Sequence, residues 1–165
     1  MVGEHNVVNI LLCVAMAIKL GLNTDQIIRG ISKLKPIKSR MEKTTLSSGA
    51  VIINNGYNSN PDTVRKSIDL LNLYHGKFKT IITPGFVEMG KSQFDLNYKL
   101  GCLIANSFDK CFVVNKVNRL AIVKAFTDNK FSNYKVVDKF KDIDFSGFGK
   151  DDVVLIENDL PDSYE

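Results

Sequence analysis

The chain has 165 residues, of which 44% are apolar and 24% charged, with a formal net charge of +4. That length supports one sizeable core with room for a small appendage, and the composition is that of an ordinary globular protein. The cationic excess is modest, with Lys35, Lys38, Arg40 and Lys43 its main cluster; it lacks the continuous basic stripe of a nucleic-acid binder, so no nucleic-acid partner is expected.

Cys13, Cys102 and Cys111 lie in apolar segments without metal-type spacing and read as reduced core thiols. The apolar run Ile10 to Ile18 is too short to cross a bilayer. Glu4 and His5 stand where a signal peptide would carry its basic region, so a cytoplasmic location without a membrane span is expected.

In chain order, residues 5–20 read as a buried helix stopped by Gly21, and a second helix runs from Asp25 to Leu34, capped by Asn23 or Thr24 and ended before Pro36. Arg40 to Leu46 and Ala50 to Asn54 read as strands joined at Ser47-Ser48-Gly49. A polar loop, Asn54 to Asn60, leads to Pro61, which suits the first position of a helix reaching about Tyr74 with Asn60 as its cap. Strand and helix then alternate. Thr80–Thr83 is followed by a helix over 93–108, and Cys111–Val114 by a helix over 118–126. Val136-Val137 precedes a weak helical turn, Val153–Ile156 is the last strand, and Glu157 to Glu165 reads as a polar tail. The alternation predicts an α/β fold: a Rossmann-like three-layer domain with a mostly parallel sheet and helices on both faces, preceded by a helical hairpin. Ligands of such folds sit at the carboxyl ends of the strands, which singles out the loops 54–60 and 84–92.

The second loop contains Gly85-Phe-Val-Glu-Met-Gly90-Lys91-Ser92, which satisfies the phosphate-loop pattern G-x-x-x-x-G-K-[ST]. Its chemistry fits poorly. A phosphate loop wraps anionic oxygens with successive backbone N–H groups, whereas Phe86, Val87 and Met89 are bulky and Glu88 is an anion. A stand-alone nucleotide triphosphatase using Gly85–Ser92 remains the least favoured reading.

Several motifs in order resemble those of Mur ligases. Gly3-Glu-His5-Asn6-Val-Val-Asn9 is similar to their G-x-H-N-x-x-N, near the end of the central ATPase domain. Ser39-Arg40-Met41-Glu42 is similar to the G-R-[LM]-E that opens their carboxyl-terminal domain. Val51-Ile-Ile-Asn54-Asn55-Gly56-Tyr57-Asn58-Ser59-Asn60-Pro61 resembles I-D-D-[AS]-[YF]-N-[AS]-N-P, and Glu88-Met89-Gly90 resembles the E-[LM]-G of members that add D-alanyl-D-alanine.

The resemblance implies two parts: residues 1–36 as the terminal helices of the central domain, and 37–165 as the carboxyl-terminal domain. It also implies a job. Family members use ATP to phosphorylate the carboxylate of a UDP-N-acetylmuramoyl peptide, and an incoming amine, here D-alanyl-D-alanine, attacks to give an amide, ADP and phosphate. The carboxyl-terminal domain closes over the nucleotide, which keeps water from a hydrolysable intermediate. ATP is thus the implied cofactor. Mg2+ and the true phosphate loop are expected in a central domain upstream of residue 1, and the chain alone is expected to be inactive.

Residue by residue, the resemblance implies nucleotide contacts from Asn6, Asn9, Arg40 and Asn55, and substrate contacts from Tyr57, Asn58, Ser59 and Glu88, the last with Phe86 beside it. No catalytic residue and no metal ligand is implied in this chain. An amide offers both donor and acceptor to a base edge, and a guanidinium fork can hold two phosphate oxygens at once. Asn55 departs from the family, which usually has an aspartate there as an acceptor for ribose hydroxyls; asparagine keeps one acceptor and loses the charge. Asn54 and Ser39 also depart. These changes keep open a divergent, non-catalytic interaction domain, and the asparagine–proline loop also fits folylpolyglutamate- or cyanophycin-type ligases.

Overall fold

Apolar residues alternate with the pleat along a six-stranded sheet, and that alternation decides what each face carries. The structure, a computed structural model, describes residues 4–34, 40–57, 59–75 and 77–158, with the backbone alone for residues 4–6. The chain divides into two compact units, Met1–Lys38 and Ser39–Glu165.

The first unit contains α1 (Glu4–Lys19) and α2 (Thr24–Ser32). Asn23 caps α2 through a reciprocal box: its Oδ1 accepts from Gln26 N, and Gln26 Oε1 accepts from Asn23 N, both at 2.9 Å. The expected burial of the first helix is not found. Val7, Val8, Leu11, Leu12, Met16 and Ile18 are each more than half exposed. Apolar residues mark what a helix needs covered, and the nine-residue α2, itself without a buried residue, is too small a partner to cover a sixteen-residue helix.

The second unit holds the sheet. Its strands are β1 (Glu42–Thr45), β2 (Val51–Asn55), β3 (Phe78–Thr83), β4 (Lys110–Val114), β5 (Tyr134–Val137) and β6 (Asp152–Glu157). They lie in the order β1-β2-β6-β3-β4-β5, with β1 antiparallel to β2 and every other neighbouring pair parallel. Because β6 returns between β2 and β3, its end stands mid-crevice at the carboxyl edge of the sheet.

One face packs on α3 (Pro61–Asn72), α4 (Gln93–Ser107) and α5 (Arg119–Asp128). Ile53, Ile81, Val113 and Leu155 meet Val64, Ile68, Leu71, Leu100, Ile104, Ile122 and Phe126 there. The other face carries Ile52, Ile82, Phe112 and Val154, covered by Ile143 and Phe148 and flanked by Leu46. Helices were expected on both faces. Among the described residues the α-helices occupy one, and the third layer is the segment around the 3-10 turns Phe140–Asp142 and Phe145–Gly147. That segment is rich in Asp, Lys and Gly and has no run long enough for an α-helix.

The helix starts follow local chemistry. Pro61 is at the first helical position of α3, and Asn60 Oδ1 accepts from Asp62 N and Thr63 N, both at 3.0 Å. Of the cysteines, Cys111 alone is a core thiol. Cys102 is half-buried and Cys13 exposed.

Helices α4 and α5 approach closely at Gly101, where a Cβ would lie 2.6 Å from Ala125 Cβ and 2.9 Å from Ile122 O. Gly101→Ala is therefore expected to destabilise the domain by about 1–3 kcal/mol, overpacking outweighing a helix-propensity gain of at most about 1 kcal/mol. Urea unfolding checks this; a variant more stable than wild type would contradict the packing.

Candidate functional site: the carboxyl edge of the sheet

Register places Asn55 on β2 opposite Glu157 on β6, and Asn54 opposite Ile156. Successive strand residues point to opposite faces, so Asn55 and Glu157 turn toward the helical layer while Asn54 and Ile156 turn the other way.

On the helical side, Glu157 is fully buried. Its carboxylate accepts from Asn55 Nδ2 at 3.0 and 3.1 Å, from Ser67 Oγ of α3 at 2.8 Å, and from the Ser59 hydroxyl. Burial pushes its carboxyl above the ordinary value of 4.5, and the bonds from Ser59, Ser67 and Asn55 oppose that rise without cancelling it. A buried carboxylate without a cation is costly unless its oxygens are hydrogen-bonded, and here three elements supply the donors.

Asn158, the next residue, is buried in a left-handed conformation, φ 67°. Its Oδ1 accepts from Ser59 N at 3.3 Å, and its Nδ2 donates to Gly85 O at 2.6 Å. One side chain thus ties the loop after β2 to the loop after β3.

Two more buried amides hold the latter loop. Asn97 Oδ1 accepts from Phe86 N at 2.8 Å, and its Nδ2 donates to Phe86 O at 2.9 Å and Gln93 O at 2.8 Å. Asn118 Nδ2 donates to Pro84 O and Phe86 O, both at 2.9 Å, while its Oδ1 accepts from Gln93 Nε2 at 3.0 Å. Three further N–H groups of the loop are engaged: Gly85 N donates to Thr83 Oγ1, Met89 N to Gln93 Oε1 and Ser92 N to Met89 O.

A phosphate loop needs such N–H groups free and pointing at a common centre. The loop 84–92 fulfils the pattern in letters, but its amides on Gly85, Phe86, Met89 and Ser92 serve the protein's own groups. Gly85 has φ 81°, and a Cβ there would meet Asn97 Oδ1 at 2.2 Å, so the first glycine of the pattern answers to close packing.

Of the residues expected at the site, two meet at the rim. The antiparallel start of β1 brings Arg40 to the end of β2, and the Arg40 guanidinium carbon lies 4.3 Å from the centre of the Tyr57 ring. Both are exposed, Tyr57 by 56%. Asn55 and Ser59 come together on Glu157, and Ser59 is only 2% exposed, its hydroxyl engaged with Glu157 and Thr63. Glu88 is exposed at φ 61° in the loop after β3, whereas Phe86 beside it is 2% exposed and part of the core. Asn9 is exposed on α1. The side chain of Asn6 and the whole of Asn58 lie outside the described residues.

On the opposite face a cavity of about 420 Å³ opens at the same edge. Ile82, Val114 and Ile156 line its floor, with Asn54, Lys139 and Lys141 among its other walls. Asp138 lines it as well, so an apolar floor is paired with walls of mixed charge.

No family model matches the chain. Over 117 residues it is 28% identical to a UDP-N-acetylmuramoyl-tripeptide–D-alanyl-D-alanine ligase of Bacillus subtilis, covering 70% of this chain and 26% of the relative. In fold it is similar to MurF from Acinetobacter baumannii, with a TM-score of 0.77 and 21% identity over 96% of this chain and 35% of that one. The match lies in the carboxyl-terminal portion of these proteins.

The chain matches the carboxyl-terminal part of Mur ligases.

A Mur ligase structure from Thermotoga maritima, MurF in complex with ADP, is also similar, with a TM-score of 0.68 and 22% identity over 94% of this chain and 35% of that one. The chain spans about a quarter of the length of its curated Mur ligase relative. Its Rossmann-like sheet is the one these neighbours share.

Sequence reasoning missed Glu157, Asn158, Asn97 and Asn118. For Glu157 a signal was available: a carboxylate directly after the apolar run of a central parallel strand falls in the crevice, whatever tail follows.

Asn118→Ala is expected to cost about 2–3 kcal/mol, because it leaves the buried Pro84 and Phe86 carbonyls short of a donor; denaturant unfolding measures it. Stability should also carry a pH signature of Glu157. A carboxyl raised on folding contributes stability fully below its unfolded value of 4.5 and loses it as pH rises through the folded value. Unfolding midpoints measured across that window should fall with rising pH in wild type and less so in Glu157→Gln.

Proposed function

We propose that this chain acts as the carboxyl-terminal part of an ATP-dependent amide ligase of peptidoglycan-precursor synthesis, closing over the nucleotide and helping to bind incoming D-alanyl-D-alanine. The observation that carries this reading is the pairing of Arg40 with Tyr57 at the strand-end rim, beside the Asn55–Asn60 loop. Stacking holds the guanidinium on the exposed side of the ring, where it can meet phosphate oxygens that another domain presents. Tyr57 and Glu88 are the exposed candidates for the incoming dipeptide, Glu88 for its ammonium. Asn6, Asn9 and Asn58 keep the roles that the resemblance implies, and Ser59 supports the loop from inside.

ATP supplies the activation of the carboxylate when bound. The residues present fit part of it: an arginine and an amide at the strand-end edge, while the N–H groups of Gly85, Phe86, Met89 and Ser92 are bonded within the protein and do not serve to cradle phosphates. For magnesium, no group of three His, Cys, Asp or Glu side chains among the described residues is placed to hold a metal ion. Both functions fall to residues beyond this chain, which on this reading is inactive alone and works in the cytoplasm. No helix among the described residues is long and apolar enough to cross a membrane.

The test is a phosphate-release and product assay with ATP, UDP-N-acetylmuramoyl-tripeptide and D-alanyl-D-alanine. The chain alone should form no amide. Joined to the amino-terminal three quarters of the Bacillus subtilis relative, it should support ligation, and Arg40→Ala in that fusion should lower kcat/KM for ATP at least about tenfold, the scale of one charge-assisted phosphate contact. ATP hydrolysis by the chain alone, abolished by Lys91→Ala, would overturn the reading. A folded fusion inert with every substrate pair would instead favour the divergent interaction domain, which the engagement of Asn55 with Glu157 also supports.

A further inference from the structure

A carboxylate has only acceptors to offer, so an amide packed against it must present its nitrogen. Asn55 Nδ2 sits within 3.0 and 3.1 Å of the two Glu157 oxygens and 3.2 Å from Ser67 Oγ. With Nδ2 directed at these acceptors, Oδ1 is the amide's acceptor atom, on a residue that is half-buried.

We propose that Glu157 is a positioning residue of the crevice: it fixes the Asn55 amide so that the carbonyl oxygen is the atom offered to a hydroxyl-bearing ligand, and it makes asparagine, not aspartate, the residue the site requires at 55. The ligase reading enters only in naming that ligand as a sugar ring of the nucleotide; the lock itself is tested without ligand.

The geometry around Glu157 explains the requirement. The groups that face it are Asn55 from β2, Ser59 from the following loop and Ser67 from α3, with Thr63 bonded to Ser59 and the Met41 thioether 3.6 Å beyond Ser67. None of these titrates near neutral pH, and no lysine or arginine among the described residues is within ion-pair distance of Glu157. An aspartate at 55 would set two carboxylates in contact with no cation to compensate, so one of them would have to take up a proton. In this chain the carboxylate of the pair stands on β6, at Glu157, and the amide on β2. Asn55 retains a single acceptor, and Glu157 decides which way it points.

Four versions of the full chain test this: wild type, Asn55→Asp, Glu157→Gln and the double variant. At neutral pH Asn55→Asp should lower Tm by at least about 5 °C and regain much of that in acid, where one carboxyl is protonated. The double variant should recover most of the loss, because the carboxylate introduced at position 55 can accept from the amide introduced at position 157. In wild type, the side-chain amide resonances of Asn55 should shift as Glu157 ionises above its ordinary value of 4.5, and those of Glu157→Gln should stay still. The proposal falls if Asn55→Asp is as stable as wild type at neutral pH, or if the double variant is no better than Asn55→Asp. Failure of the variants to fold leaves the wild-type titration, in which Asn55 resonances that do not move would equally overturn it.

Discussion

The buried carboxylate of Glu157 is the constraint around which the carboxyl edge of the sheet is arranged. A charge or shared proton in that position is tolerated only while donors surround it, and each donor arrives on a different element: Asn55 at the end of β2, Ser59 in the loop, Ser67 in the middle of α3. Those bonds therefore fix where the loop leaves the sheet and how α3 approaches it. The adjacent Asn158 extends the tie to the loop after β3, so the two loops that frame the crevice are anchored from the end of one strand. The rim pair of Arg40 and Tyr57 stands on this base.

The fold was largely legible in the sequence because its strands are short apolar runs separated by helices, the first of which, α3, carries a clear cap. Val51–Asn55, Phe78–Thr83, Lys110–Val114 and Asp152–Glu157 fall where their runs of Val, Ile and Phe predict, within a residue or two. Asn60 and Pro61 announce α3 by local chemistry alone. What was not legible depends on partners far away in sequence. The burial of Glu157 follows from strand order, since β6 lies between β2 and β3, and no local pattern encodes that order. The exposure of α1 shows the opposite limit: its apolar residues are plain, but whether they are covered depends on what surrounds the hairpin.

The site was legible in part. The order of the motifs pointed to the loop 54–60 and to Arg40, and the structure places Arg40 against Tyr57. The same reading treated Ser59 as a ligand contact and set Phe86 beside Glu88 at the substrate; Ser59 and Phe86 are both buried. In each case the residue type left the role open: a serine donates as readily to an internal carboxylate as to a ligand, and an aromatic side chain in a loop is as useful to the core as to a surface. The letters of Gly85–Ser92 mislead for a related reason. A pattern records residue types, whereas phosphate binding depends on N–H groups left unspent, and Asn97 takes the one on Phe86.

The three amides that grip Pro84, Gly85 and Phe86 come from the end of β6, from within α4 and from the start of α5. A segment tied in three directions has little freedom left to lose when something docks against it, so the entropic cost of ordering it has already been met in folding. Whatever selectivity this side of the crevice shows should follow from a fixed shape, with no reshaping of the backbone around each guest.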